Sequence, residues 1–200
     1  MLLKKFSEFN YEAGIDEAGR GCLAGPLTAA AVILKKDFNN IDLNDSKKLS
    51  PKKRLELKRI VEENALAYSV AFIDSFEIDK INVLNSTYKA MHKAIKSLSI
   101  QPDFILVDGN RFKPYGNIPY NCVIKGDQKY QNIAAASILA KTYRDDYMES
   151  LHSKFPIYKW RENKGYGTKY HINMILKYGR CIYHRYTFKI KSKQLNFQFN

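Results

Sequence analysis

The sequence predicts an α/β fold, a sheet with helices on its faces and a helical C-terminal part. Three observations predict it. Short apolar runs of strand length recur, as in Leu27 to Leu34 (LTAAAVIL) and Phe104 to Val107 (FILV). Other stretches carry apolar residues at steps of three and four, the period of a helix packed on one face. The two kinds alternate along the chain in the order strands, helix, strand, long helix, strand, strand, helices, which suits helices laid on a sheet.

Tyr11 to Asp16 is a short strand-like run ending in carboxylates, and Leu27 to Leu34 is a continuous apolar run that fits a buried strand. Ser50-Pro51 followed by KKRLELKRIVEENA reads as a capped helix with proline in its first turn. Ala67 to Ile73 (AYSVAFI) is β-rich. Val83, Leu84, Thr87, Tyr88, Met91, Ala94, Ile95 and Leu98 make one apolar helix face. Phe104 to Val107 runs straight into Asp108-Gly109, and Tyr120 to Ile124 is another short strand. Ile133 to Leu151 is helical, with small residues (IAAASILA) that permit close packing, and Thr168 to Tyr178 is an amphipathic helix stopped by Gly179. Ligand sites in such sheets lie beyond strand ends, and two of these strands end in Asp.

Two hundred residues fit one domain, with no internal repeat or low-complexity linker. Thirty-three Lys and Arg against twenty Asp and Glu give a net charge of +13, which favours a polyanionic partner, nucleic acid or an anionic membrane surface. Cys22, Cys122 and Cys181 are widely separated and form no C-x-x-C, so the chain writes neither a zinc ribbon nor a thioredoxin-like redox motif. Neither a signal peptide nor a run of roughly 20 apolar residues is present, and a cytoplasmic protein is expected.

Asp16-Glu17 is an acidic pair in GIDEAGRG. Adjacent strand residues point to opposite faces, so the pair converges only if the strand ends or bends there, which the flanking glycines allow. Asp108 stands at the mouth of a buried strand, and Asp127 in KGD precedes the helix starting near Tyr130. Alone, Asp16 and Asp108 read equally as turn residues and Asp127 as a helix N-cap. Brought together, four carboxylates repel one another unless cations neutralise them, and such hard oxygen ligands suit Mg²⁺ or Mn²⁺. Two such ions activate water and stabilise the leaving oxygen in phosphodiester cleavage.

At these residues the sequence resembles the ribonuclease HII family. GIDEAGRGCLAGPLTAAAVIL (Gly14 to Leu34) is similar to its N-terminal signature. DSKKLS (45–50), ILVDG (105–109), KGD (125–127), IAAASILAKTYRD (133–145), NKGYGT (163–168) and HRYTF (184–188) continue the match in order. The resemblance implies an RNase H-like fold, a five-stranded mixed sheet flanked by helices. It implies one catalytic domain over residues 1–200, in which about 155–200 form a helical, substrate-contacting extension. It implies that Asp16, Glu17, Asp108 and Asp127 form a catalytic site binding Mg²⁺ or Mn²⁺. The implied activity is cleavage of the RNA strand of RNA–DNA hybrids, and cutting 5′ of single ribonucleotides in duplex DNA, leaving 3′-hydroxyl and 5′-phosphate ends. That places the chain in replication and ribonucleotide repair.

Further residues carry over from the resemblance. Gly19-Arg20-Gly21 matches the segment that reads the ribose 2′-hydroxyl through backbone contacts, and glycines do let backbone groups approach a sugar. Tyr166 matches a tyrosine that stacks on the junction sugar, and Ser46 and Lys47 match a phosphate-contacting segment. Cys22 stands where the family usually has proline and touches none of the inferred metal ligands. Lys141 and Asp145, four apart on a helix, read as a surface ion pair, and His92, His152, His171 and His184 read as structural. Two relatives of the family are disfavoured: ribonuclease HIII, for want of a sizeable N-terminal domain before Gly14, and type 1 ribonuclease H, whose glutamate is not adjacent to its first aspartate. A non-catalytic module that holds hybrid duplexes is the alternative function. A monomer is expected. The tail Gln194-Leu195-x-Phe197-x-Phe199 resembles a sliding-clamp docking motif, although a terminal strand or plain tail explains it too.

Overall fold

The computed structural model describes residues 2–43, 46 and 49–190. Lys47 and the tail 194–199 lie outside the described residues. Five strands, β1 (Glu12–Ala18), β2 (Leu27–Leu34), β3 (Ala65–Ile73), β4 (Phe104–Asp108) and β5 (Tyr120–Val123), form one sheet in the order β3-β2-β1-β4-β5. The β1–β2 and β2–β3 pairs are antiparallel, whereas β1–β4 and β4–β5 are parallel, so the sheet is mixed as expected. The central strands β2 and β4 are nearly continuous apolar runs because both of their faces are covered, and β1 is buried from Glu12 to Asp16 although it carries acids.

Helix α1 (Pro51–Asn64) starts where Ser50 accepts a hydrogen bond from the Lys53 N–H. α2 (Ser75–Lys96) covers one sheet face, packing Met91, Ala94 and Ile95 on Ile15, Ala31 and Val107. Its two segments meet at Asn82, at φ 64°, whose side chain accepts from the N–H groups of Leu84 and Asn85. The apolar period from Val83 marks the second segment. The first carries a weaker apolar signal and is set by Asp74 capping the Glu77 N–H. α3 (Gln131–Lys154) covers the opposite face, where Ala134, Ala135 and Ala140 sit close against Ala30 and Val32, with Leu57 and Val61 of α1 in the same layer.

The acidic pair falls at the close of β1: the strand stays paired with β2 through Asp16↔Ala30, Glu17↔Ala29 and Ala18↔Thr28, two residues beyond the run ending at Asp16, while its pairing with β4 stops at Ile15↔Val107. The physical reason is that β2 extends far enough to take up these backbone groups, and a paired ladder is cheaper than unpaired buried amides. The turn is deferred to Gly19, at φ +89°.

The C-terminal part is a separate small core under α4 (Trp160–Asn163) and α5 (Lys169–Tyr178), built on Trp160, Tyr158, Met148 and Ile175. A buried histidine pair ties it together, in keeping with the structural role expected for both. Trp160 Nε1 donates to His171 Nε2 at 3.1 Å, and His184 Nε2 lies 3.1 Å from the same atom. The Cys181 N–H donates to His184 Nδ1, so His184 carries its proton on Nε2, while His171 Nδ1 donates to the Tyr166 carbonyl at 2.9 Å. Every ring nitrogen is therefore used with both rings neutral. Burial lowers both pKa values, that of His184 to about 4, with His171 and Arg180 adding repulsion there. The unfolded rings, near pH 6.5, take up protons that the folded rings refuse. Stability present above pH 6.5 is thus lost as pH falls towards 4, on the order of 2 kcal/mol after allowance for solvent screening. Urea titrations at pH 7.5 and 5 check this: the loss should be clearly smaller in His184→Gln, and equal losses in both proteins contradict it.

Candidate active site

Parallel pairing of β1 with β4 sets Ile15 beside Val107, so Asp16 and Asp108 follow as neighbours at the carboxyl ends of adjacent strands. Both lie on the face that carries Gly14 and Leu106, towards α3. The Asp16 carboxylate is buried, accepts the Glu17 N–H at 2.7 Å and is hydrogen-bonded by Ser137 of α3. Burial first, then the Glu17 and Asp108 carboxylates, push its pKa well above the usual carboxylate range, against the hydrogen bonds from Ser137 and Glu17. Glu17 is also paired with Arg20, Nη1 to Oε1 at 3.2 Å.

Asp108 Oδ1 accepts the Gly126 N–H at 2.7 Å, which anchors a 3-10 turn (Gly126–Gln128) carrying the buried Asp127. Asp127 does not cap α3, whose N-cap position is Tyr130 without a side-chain bond. Asp16, Glu17 and Asp108 are thus brought together electrostatically, and Asp127 is attached to them through the turn's backbone. Among the described residues no three His, Cys, Asp or Glu side chains already surround a point that holds a metal ion. The donor set nevertheless fits a hard divalent cation. It is all oxygen, and a buried carboxylate beside two others lacks sufficient positive charge.

Next to the acids opens a cleft of ≈ 610 Å³, whose walls bring together most of the residues singled out in the sequence. Glu17, Gly19, Arg20, Gly21 and Ser46 line it together with Arg54, Ser137, Lys141 and Tyr166, while Asp16, Asp108 and Asp127 are not among its lining residues. Ser46 Oγ lies 2.9 Å from Ser137 Oγ, which connects Ser46 to Asp16. Arg54 donates to the carbonyls of Ser46 and Leu49.

Lys141 and Asp145 do form the expected pair, at 2.6 Å, yet they are not a plain surface pair. Lys141 lines the cleft, and its pKa is lowered by burial first, with Arg144 and Arg54 adding repulsion, against the pull of Asp145. Cys22 is fully buried and its thiol hydrogen-bonds with Tyr166, so it supports a cleft residue although it is no metal ligand. The sequence reading missed Ser137, Arg54, Arg144 and Arg185. Lys141 and Arg144 are three apart in α3, directly after the small-residue run IAAASILA, and that shared face was the available signal.

The loops on either side of Cys22 and Tyr166 interlock. The N–H groups of Leu23 and Ala24 donate to the Gly165 carbonyl. Gly165, at φ +82°, approaches so closely that a Cβ there would stand 2.3 Å from the Ala24 carbonyl oxygen.

A five-stranded mixed sheet with acids gathered at the ends of β1 and β4 defines a protein of the RNase H-like fold, and comparison with known proteins agrees. A family model described as Ribonuclease HII matches residues 13–191. The chain is 58% identical over 187 residues to a Ribonuclease HII of Christiangramia forsetii, covering 94% of each chain. It is similar in structure to the ribonuclease H2 from Pyrococcus horikoshii OT3, with a TM-score of 0.75 at 28% identity over 92% of this chain and 97% of that one. It is similar also to the ribonuclease HII of Archaeoglobus fulgidus solved as a PCNA complex, with a TM-score of 0.74 at 26% identity over 91% and 96%. The chain belongs to the ribonuclease HII family and is a type 2 ribonuclease H. No helix of the described residues is long and apolar enough to cross a membrane.

Proposed function

We propose that this ribonuclease H cuts the RNA strand of RNA–DNA hybrids, and 5′ of single ribonucleotides embedded in duplex DNA, at the cleft between the acids and Tyr166. The observation that carries the reading is the buried Asp16 carboxylate, raised in pKa beside Glu17 and Asp108, next to a cleft that Glu17 lines together with Arg20, Arg54 and Lys141. Asp16, Glu17, Asp108 and Asp127 would hold two Mg²⁺ or Mn²⁺ ions, with side-chain rotation completing the set. Bound there, the ions supply charge to activate a water and to stabilise the leaving 3′-oxygen, giving 3′-hydroxyl and 5′-phosphate ends.

The chain's own residues do the rest. Arg54 and Lys141 offer positive charge to phosphates, as does Lys47 from sequence alone, and Ser46 offers a hydroxyl. Gly19, Arg20 and Gly21 bring backbone close to the ribose, and the half-exposed Tyr166 ring offers a stacking surface. Residues 155–200 then act as a substrate-contacting extension of a single catalytic domain, in ribonucleotide repair and replication. The archaeal relative's PCNA complex supports reading the tail 194–199 as a clamp-docking segment.

Product mapping tests the reading. A labelled duplex with one ribonucleotide, incubated with Mg²⁺ or Mn²⁺, should yield one cut on the 5′ side of that ribonucleotide with a 5′-phosphate on the downstream fragment. Binding without cleavage in both metals would favour a non-catalytic module. A cut on the 3′ side would overturn the assigned chemistry.

A further inference from the structure

Two arginines are fully buried, and among the described residues no carboxylate lies within ion-pair distance of either. Their guanidinium groups are spent on backbone carbonyls instead. Arg144 of α3 donates from Nε to Pro26 at 2.9 Å, from Nη2 to Ala24 at 3.1 Å and from Nη1 to Lys164 at 2.8 Å. Arg185 donates from Nε and Nη2 to Gly25 at 3.1 and 3.0 Å, and from Nη1 to Arg20 at 2.8 Å. Burial is the main cause that brings the Arg185 pKa down to about 10.

Burying unpaired cations is expensive, and packed apolar side chains serve stability as well or better. What an arginine adds is a rigid fork that fixes several acceptors at once. All but one of these acceptors lie between Arg20 and Pro26, and the last precedes Gly165 and Tyr166. The two forks therefore lock the Gly19–Gly21 segment against the tyrosine's loop.

One bond has a directional consequence. In a trans peptide the carbonyl and the following N–H point in opposite directions. With the Arg20 carbonyl held by the buried Arg185, the Gly21 N–H must point away from that guanidinium. A Cβ built on Gly21 meets nothing within 4 Å, so the space around this residue is open to a ligand. Gly21 itself lines the cleft.

We infer that Arg185 is a positioning residue that aims the Gly21 amide at the ribose 2′-oxygen, with Arg144 holding the same loop from the α3 side. The inference rests on the proposed reading of ribonucleotide-containing duplexes. It makes the discrimination of RNA from DNA depend on a side chain that never touches the substrate.

The test measures cleavage of a duplex with one ribonucleotide while an all-DNA duplex of the same sequence competes. Arg185→Lys retains the charge and loses the fork. It should lower kcat/KM on the ribonucleotide duplex by about 10- to 100-fold, with the inhibition constant of the all-DNA duplex within about twofold of the parent. Unchanged kcat/KM overturns the inference. So does a proportionate loss for both duplexes, which marks a merely structural role. Should Arg185→Lys fail to fold by circular dichroism, Arg144→Lys must show the same selective loss, and its absence equally overturns the inference. Failure of the parent protein to cut would instead sink the functional reading itself.

Discussion

Replacing Asp16 with asparagine should reduce cleavage by about a thousandfold or more and leave a protein that melts no lower than the parent in metal-free buffer. The two halves have one cause. Asp16 is desolvated and faces Glu17 and Asp108, so its negative charge is a cost to the fold without a cation. Asparagine has the same shape and retains an oxygen for the Glu17 N–H and for Ser137, while the repulsion disappears. The charge is what the site needs for chemistry. Losing roughly 4 kcal/mol of electrostatic stabilisation corresponds to about three powers of ten in rate. Asp108→Asn should behave alike, because its oxygen still accepts the Gly126 N–H. Steady-state cleavage and thermal melts check both. Retained activity in either variant, with the fold intact, contradicts the assigned roles.

The second large effect separates two glycines only two residues apart. Gly19→Ala should cost about 3 kcal/mol, roughly 10 °C in melting temperature for a chain of this size. Gly19 is at φ +89°, and an added Cβ would stand 2.0 Å from Arg144 Nε, inside the buried fork. Gly21→Ala meets nothing, so its stability should stay within about 1 kcal/mol of the parent. Its effect should fall on activity, because the methyl group enters the space offered to the sugar. Thermal melts of the two variants with kcat and KM on the single-ribonucleotide duplex check the contrast. A stable Gly19→Ala, or a Gly21→Ala with parental kinetics, counts against the geometry described for this loop.

Much of the fold was legible because its elements obey simple periods. LTAAAVIL and FILV are buried strands since helices cover both sheet faces, and Ser50, Thr168 and Gly179 act as helix boundaries through local chemistry. Asp108 could be seen at a strand mouth for the same reason. The course of β1 through Glu17 could not, because it depends on how far β2 extends, which is a tertiary matter. Arg144 and Arg185 escaped because arginine ordinarily reads as surface, and only the folded loops supply the carbonyls that make burial tolerable. Lys141 and Asp145 have the spacing of a surface pair, and nothing in that spacing says a cleft wall lies beside them. Cys22 read as a mere departure from a proline, whereas its thiol faces Tyr166 across some 140 residues of sequence.

The most direct test of the central claim, that carboxylates at the ends of β1 and β4 jointly hold divalent cations, is a Mn²⁺ titration followed by the paramagnetic resonance of the free ion. The parent protein should remove Mn²⁺ from solution saturably, and Asp108→Asn should bind it at least about tenfold more weakly. Equal Mn²⁺ affinity in the parent and in a folded Asp108→Asn would contradict the account.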